Sequence, residues 1–302
     1  ATRSPPAARA VDAPRLASSR LMATRRKQPS RTIVLDRSLE ALPIFRLSDS
    51  AEEAVISWSP PAGGRWRVLP APGERLPGTF DQDVYVELMR RYHDAGAPAD
   101  GTVTFTLHAF LRAMGRRVDG RTYEQLRSAL NRLERTLLES SACYREGADG
   151  PHVSGPLAIL ALVQIDRRRL TDRDQLGLFP LLTNNEPGDA RVTIAAPLRA
   201  NIAARWSIAL SSSQYWALNS PVARRLYRLL ELARAEGHTT WRIGLEQLAE
   251  QLPLVQRFPS HLQRVLQPAH EMLVTSGVVR EAVIEQAGKD WIVRYRLGHK
   301  AA

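Results

Sequence analysis

A short segment near the C-terminus combines hydrogen-bonding side chains with helical apolar spacing. Leu262, Val265 and Leu266, which follow Pro259, recur at the spacing of one helix face. The polar side chains left on the opposite face are Ser260, His261, Gln263, Arg264 and Gln267. Arginine and glutamine can form paired hydrogen bonds with the edges of guanine and adenine, and serine at a helix N-terminus suits a phosphate. Taken alone, this face is equally typical of the solvated side of a core helix.

The elements around this segment favour its interpretation as a reader of nucleic acid. Ser220 caps a helix, residues 239–243 follow as a strand, and a second short helix ends at Pro253. After the polar helix, two strands with alternating apolar residues flank a turn at residues 286–290. Helix, strand, helix, helix and hairpin is the element order of a winged helix, which binds DNA. The basic residues of the hairpin assigned to DNA contact are Lys289 and Arg294.

The same order of elements is predicted earlier in the chain. A helix, a strand at residues 102–106 and a short helix at residues 107–114 lead to a long helix. The long helix is expected to open at Thr122, with a capping box completed by Gln125, and to reach about Ser140. The residues of this region assigned to DNA contact are Arg121, Thr122, Gln125, Ser128 and Arg132.

The strands after the long helix are predicted to complete a first winged helix. Residues 142–145 and 157–165 would pair as a hairpin, with the glycine-rich loop 146–156 as its wing. The predicted fold is therefore α+β, with tandem winged-helix domains at residues 32–204 and 205–302. An alternative role for the first domain is self-association through the adjoining strands and the apolar side of its long helix, which carries Leu126, Leu130, Leu133 and Leu137. The aromatic residues predicted to pack the joint between the domains are Trp206, Tyr215 and Trp216.

The charge balance indicates a polyanionic partner. The 302 residues include 42 Lys and Arg against 31 Asp and Glu, which gives a formal charge of +11. Charge alone does not separate DNA from RNA or from an anionic membrane surface, so the element order decides for DNA. No apolar run approaches the roughly 20 residues that span a bilayer. The single Cys143 excludes an internal disulfide, which fits a reducing cytoplasm.

Residues 1–31 form a basic tail. They hold eight basic residues against the single Asp12, with too little apolar pattern for a core, and we predict that they are disordered. Met22 is a candidate natural start. A DNA-binding arm or a simple overhang is the favoured interpretation, and a transit peptide is the alternative.

Four stretches resemble the plasmid replication initiators: Val192–Ile194, Pro197–Leu198, Ser220–Leu230 and Leu262–Leu273. The third is a serine-led helix with an arginine-leucine-tyrosine triplet, and the fourth is an arginine-containing helix interrupted by a proline. They are most similar to the replication initiator protein A family, and the similarity runs from about Thr32 to the end of the chain. Because Pro268 removes one backbone hydrogen bond, a helix is expected to begin or bend there.

This resemblance implies a role for each domain. The C-terminal domain would read one part of each origin repeat, and the N-terminal domain would contact an adjacent groove or backbone and mediate homodimerisation. A host initiator and a replicative helicase would be partners, and the protein would also repress its own promoter. The main alternative is a winged-helix transcriptional regulator with no role in initiation.

The sequence contains no convincing set of catalytic or metal-binding residues. It lacks a phosphate-cradling glycine loop, and its seven histidines are scattered without the spacing of metal ligands. We predict neither an enzyme nor a cofactor. An acidic trio that would suggest a magnesium-dependent nuclease lies among arginines, which favours a surface of ion pairs: Asp166, Asp172 and Asp174.

Overall fold

Helices alternate with short antiparallel sheets in the computed structural model, which describes residues 32–47, 55–61, 63–165, 189–256 and 258–298. This architecture confirms the prediction of a mixed α and β fold. The predicted tail at residues 1–31 lies outside the described residues. The acidic trio of the nuclease alternative also lies outside them.

The described residues contain nine helices: α1 Arg37–Glu40, α2 Thr79–Asp94, α3 Leu107–Ala113, α4 Gly120–Arg135, α5 Ala196–Ala203, α6 Ser212–Ala217, α7 Pro221–Ala235, α8 Leu245–Gln251 and α9 Pro259–Thr275. Their strands are β1 Thr32–Asp36, β2 Ile56–Trp58, β3 Arg65–Leu69, β4 Thr102–Thr106, β5 Leu137–Arg145, β6 His152–Leu157, β7 Leu160–Ile165, β8 Asp189–Ile194, β9 Ser207–Ser211, β10 Thr240–Gly244, β11 Val279–Ala287 and β12 Asp290–Leu297. The strand orders in the four sheets are β1-β9, β2-β3-β5-β6, β4-β8-β7 and β10-β12-β11.

The C-terminal elements follow the predicted order. The Ser220 hydroxyl accepts a hydrogen bond from the backbone N–H of Ala223 at 3.3 Å, and Pro221 is the first residue of α7. The chain continues through β10, α8 and α9 to the β11–β12 hairpin, and β12 lies between β10 and β11. The apolar side of α9 faces this sheet and α7, so the sheet and α7 together set the direction in which α9 presents its other side.

Helix α9 runs through Pro268, so the expectation that a helix begins at this proline is wrong. An internal proline costs a helix about 3 kcal/mol. Leu262, Leu266 and Leu273 are fully buried on the inner side of α9, and each such burial contributes roughly 2 kcal/mol. Pro268 itself is exposed. Burial of the apolar side therefore outweighs the lost backbone hydrogen bond.

Helix α4 ends at Arg135 rather than near Ser140. The N–H and the hydroxyl of Thr136 both donate to the carbonyl of Arg132, at 2.8 and 2.7 Å, and they close the last turn. The chain then enters β5, which pairs with β3. Leu137 consequently lies on a strand and is partly exposed, so its predicted burial on the helix is wrong.

The first hairpin also differs from the predicted one. Residues 157–165 are divided between two strands, since β6 ends at Leu157 and β7 begins at Leu160. β6 pairs with β5, whereas β7 pairs with β8, which in turn pairs with β4. The glycine-rich loop joins β5 to β6, so a hairpin forms around it as predicted, but this hairpin ends at Leu157 and lies in the β2-β3-β5-β6 sheet, not in the sheet that contains β4. The antiparallel pair beside β4 is β7 and β8.

Strand pairing and aromatic packing join the N-terminal and C-terminal elements. β1 pairs with β9, Trp206 Nε1 donates to the Ser38 hydroxyl at 2.8 Å, and the Tyr215 hydroxyl donates to Asp83 at 3.2 Å. Trp216 packs edge-on against Tyr215 with ring centroids 5.0 Å apart. The contacts with Ser38 and Asp83 confirm the predicted position of Trp206 and Tyr215 at the joint.

Candidate nucleic-acid interface

The polar side of α9 faces solvent as predicted. Four of its five assigned residues are exposed and Gln263 is half-buried; the exposed ones are Ser260, His261, Arg264 and Gln267. The opposite side contributes buried leucines to the core. The Gln267 side-chain amide donates to Glu271 at 2.9 Å, one turn further along the helix. The first two turns of α9 therefore present hydroxyl, imidazole, amide and guanidinium groups together.

A buried polar contact holds α9 on its sheet. The Nε2 atom of His270 lies 2.8 Å from the hydroxyl of Tyr295 on β12, and the two rings meet edge-on at 5.2 Å. Tyr295 in turn stacks on Trp241 of β10. Burial lowers the pKa of His270 from its ordinary 6.5 to about 4, so the ring is neutral at neutral pH. His270 therefore positions the helix from a buried site beside the sheet.

This contact predicts acid sensitivity. Between pH 6.5 and about 4 the folded state binds fewer protons at His270 than the unfolded state, so stability present above pH 6.5 is lost as the pH falls. A shift of this size corresponds to about 3 kcal/mol at full expression. We expect His270→Gln, which can still hydrogen-bond to Tyr295, to reduce the loss of unfolding free energy between pH 7.5 and 4.5 in urea titrations. Equal losses in both proteins would contradict this role.

Of the two basic residues assigned to DNA contact on the β11–β12 hairpin, only one is fully exposed to solvent. Lys289 is exposed at the turn, beside Gly288, whose φ of +68° suits glycine. Arg294 is half-buried and forms ion pairs with Glu281 at 3.1 Å and with Glu285 at 3.6 Å on the neighbouring strand. Arg294 thus braces the hairpin, and Lys289 is the better placed of the two for a phosphate.

Helix α4 presents a second polar face, smaller than predicted. Arg121 and Gln125 are exposed and Ser128 is half-buried. Arg132 is buried and its guanidinium contacts Asp81 of α2, with an Nη2–Oδ1 distance of 2.8 Å, so the prediction that Arg132 lies on the exposed face is wrong. Ion pairing with an acidic residue 51 positions earlier draws this arginine inward.

The start of α4 also differs in its capping. Asp119, not Thr122, is the N-cap: its carboxylate accepts from the N–H of Thr122 at 2.9 Å, and the Thr122 hydroxyl accepts from the N–H of Asp119 at 3.1 Å. Thr122 therefore completes the capping box, and Gln125 does not. An open cleft runs along this face, lined by Arg75, Phe80, Arg121, Glu124, Gln125, Ser128 and Arg132.

Three of the four arginines of α7 are buried at the joint, and the sequence did not assign them a role. We name the joint cluster the set of six side chains Glu40, Gln82, Asp83, Arg224, Arg225 and Arg228. Arg225 and Arg228 contact the two oxygens of Glu40 at 3.2 and 3.3 Å, and Arg228 also donates to Gln82 at 2.8 Å. Arg224 pairs with Asp83. Burial, together with the charge of Arg228, lowers the pKa of Arg225 to about 9.

The joint cluster joins distant parts of the chain. Its acidic and amide members lie on α1 and α2, and its arginines lie on α7, in the same helix as the arginine-leucine-tyrosine triplet. Their positions at three- and four-residue spacing on a helix with an apolar pattern were the available signal that they face inward.

Among the residues that the structure describes, no three of the His, Cys, Asp and Glu side chains are grouped to hold a metal ion. None of the helices in the described residues is long and apolar enough to cross a membrane.

Comparison with known families decides what these features belong to. The family model of replication initiator protein A matches residues 35–271. The chain belongs to the replication initiator protein A family. It is a replication initiator, and the match includes most of α9, both predicted polar faces and the joint cluster. A comparison with curated protein sequences found no significant match.

Solved structures similar to this initiator include domains 2 and 3 of RctB. One crystal structure of a selenomethionine derivative of these domains has a TM-score of 0.53 and 13% identity, and covers 87% of this chain and 99% of that chain. A second RctB structure has a TM-score of 0.49 and 11% identity, and covers 87% and 96%. The Pi initiator protein in complex with iteron DNA has a TM-score of 0.48 and 10% identity, and covers 90% and 99%. At 13% identity, the similarity to the selenomethionine derivative of RctB concerns the fold alone.

Proposed function

We propose that this initiator binds repeated duplex sites at the origin of a plasmid or secondary replicon through two tandem winged-helix domains. The observation that carries the proposal is the exposed polar side of α9, held by buried leucines and by His270 on a three-stranded antiparallel sheet. A helix supported in this way can enter a major groove with its N-terminal turns foremost. Membership of the initiator family favours this function over a transcriptional regulator without a role in initiation.

In the C-terminal domain, α9 supplies base contacts and the hairpin supplies a phosphate contact. Arg264 and Gln263 have the chemistry to read guanine and adenine edges, and Ser260 lies where a phosphate approaches the helix N-terminus. Lys289 reaches the backbone beside the groove. Arg294 contributes by fixing the hairpin through its two glutamate partners.

In the N-terminal domain, α4 makes the second contact. Arg121, Gln125 and Ser128 lie along one side of the cleft beside α4, and the exposed Arg75 adds positive charge to it. The cleft suits a phosphate backbone or a groove edge. Because Arg132 is buried against Asp81, we assign it to holding α4 on α2 and not to contacting DNA.

We further propose that the protein acts in the cytoplasm as a homodimer, recruits a host initiator and a replicative helicase, represses its own promoter and catalyses no reaction itself. Self-association through the apolar side of α4 has no support, since three of its four assigned leucines are fully buried in the core: Leu126, Leu130 and Leu133. A dimer surface would have to lie on the adjoining strands or elsewhere on the chain.

Reversing the charge of Arg121 tests the two-domain contact. We expect full-length Arg121→Glu to lose affinity for origin DNA and to protect a shorter footprint, because the second helix no longer holds its stretch of groove. The control is Arg65→Glu, which makes the same change of charge at an exposed position on β3, outside helix α4. Footprint length and affinity equal to those of the control, with oligomeric state followed by ultracentrifugation, would contradict the bipartite model.

A further inference from the structure

Phe258, immediately before α9, is the most exposed large hydrophobic residue that the structure describes. Its side chain is 70% exposed, against 40 to 43% for Leu137, Leu162 and Val274, the other three large hydrophobic residues that are exposed in the described part of the chain. It stands alone, with polar residues and a proline after it in the sequence. This exposure leaves most of the ring without contact to the rest of the fold.

Phe258 also occupies a position where another residue type would stabilise the fold. It is the N-cap of α9, with extended φ and ψ of −76° and 134°, and it makes no side-chain capping hydrogen bond. Serine, threonine, aspartate or asparagine would cap the helix there and add about 1 kcal/mol. The folded protein therefore gains little burial and no side-chain capping hydrogen bond from this phenylalanine.

The ring lies at the tip of the helix that we propose enters the major groove. It meets the exposed ring of His261 edge-on, with centroids 5.9 Å apart. Its carbonyl accepts from the N–H groups of His261 and Leu262, both at 3.0 Å, which fixes the backbone of Phe258 at the first turn. Six residues of helix rise separate Phe258 from Arg264, about 9 Å or roughly three base-pair steps.

The surroundings of Phe258 match DNA better than an apolar protein partner. The first turn of α9 contains no acidic residue, and Arg264 follows on the exposed side. An apolar protein partner would require a continuous hydrophobic patch, and Phe258 is isolated. The thymine methyl is the apolar group on base edges in the major groove, and phenylalanine is one of the side chains that contact it.

We propose that Phe258 packs against the 5-methyl group of a thymine in each origin repeat and so adds a specificity-determining contact to those of Arg264 and Gln263. This inference rests on the proposed function, since it requires α9 in the major groove. The contact reads a feature that the hydrogen-bonding side chains cannot, because the methyl group neither donates nor accepts.

Replacing single thymines with deoxyuridine tests the contact, because this removes the methyl and nothing else. Full-length wild-type protein, Phe258→Ala and Phe258→Leu are titrated by fluorescence anisotropy against the origin repeat and a series of duplexes with one deoxyuridine each. We expect one thymine at which wild type loses about fourfold in affinity, the value for one methyl group withdrawn from contact. Phe258→Ala should bind the thymine and deoxyuridine duplexes equally at that position, and Phe258→Leu should retain part of the discrimination.

The control variant is Val274→Ala, which shortens another exposed apolar side chain near the other end of α9 and should discriminate like wild type. Thermal melts of the free proteins verify folding. Origin-specific binding in which wild type is insensitive to every deoxyuridine, or in which Phe258→Ala keeps the full wild-type discrimination, would overturn the contact and leave the proposed function standing. Equal wild-type affinity for origin and scrambled duplexes would instead overturn the proposed function, and the contact with it.

Discussion

Glu40→Gln is expected to lower the free energy of unfolding by about 3 to 5 kcal/mol, the usual cost of removing one partner from a buried ion pair. Glu40 is fully buried, and its two oxygens face the guanidinium groups of Arg225 and Arg228. Glutamine keeps the volume and one accepting oxygen but leaves two positive charges without a negative one. Since the pKa of Arg225 is already lowered to about 9 by burial and by Arg228, little else compensates its charge.

Urea denaturation followed by circular dichroism measures this effect. The matched control is Glu139→Gln, which removes the carboxylate of an ion pair with Arg67 at 2.9 Å on a partly exposed sheet surface. Exposed pairs contribute about 0 to 1 kcal/mol. Similar losses for Glu40→Gln and Glu139→Gln would show that the joint cluster does not hold the two parts of the chain together.

Arg264→Ala should produce the largest loss of specific binding. If Arg264 is bidentate to a base, its removal costs about 1 to 3 kcal/mol of affinity for the origin repeat and less for random DNA. The side chain lies on the exposed side of α9, opposite Leu262 and Leu266, so its removal leaves the core intact. Competition binding with origin and random duplexes separates the loss of specific affinity from the loss of nonspecific affinity.

The control for this variant is Arg242→Ala, which removes an exposed arginine from β10 of the same sheet that supports α9. We expect it to weaken both duplexes slightly and equally, through loss of a general electrostatic contribution. A loss with Arg264→Ala that is equal for origin and random DNA would make Arg264 a phosphate contact and would show that α9 is oriented differently in the groove.

Local patterns predicted the C-terminal elements because each has its own signal. Ser220 and Pro221 start α7, leucines at helical spacing place the inner side of α9, and a glycine-containing turn forms the β11–β12 hairpin. The exposed positions on α9 follow directly from the buried ones. The polar face of this helix was therefore accessible from the sequence, and the structure places it as predicted.

Contacts between distant residues were not accessible in this way. Alternating apolar residues at 157–165 show that strands form there, but not that the chain leaves one sheet at Leu157 and joins another at Leu160. The burial of Arg132 depends on Asp81, and that of Arg225 depends on Glu40, 185 positions away. Because arginines are rarely buried unless they are paired, local patterns predict that an arginine is exposed when its partner lies far away in the sequence. For this reason Arg132 does not belong to the exposed polar face of α4, contrary to the prediction from the sequence.

Footprinting of the intergenic region beside the gene tests the central claim, that this initiator recognises origin repeats through α9. We predict that the full-length protein protects several direct repeats of one sequence, and that Arg264→Ala, while remaining folded, needs a concentration about 5- to 150-fold higher to protect them. Protection of a single inverted repeat, with no effect of Arg264→Ala on maintenance of the replicon, would contradict the account.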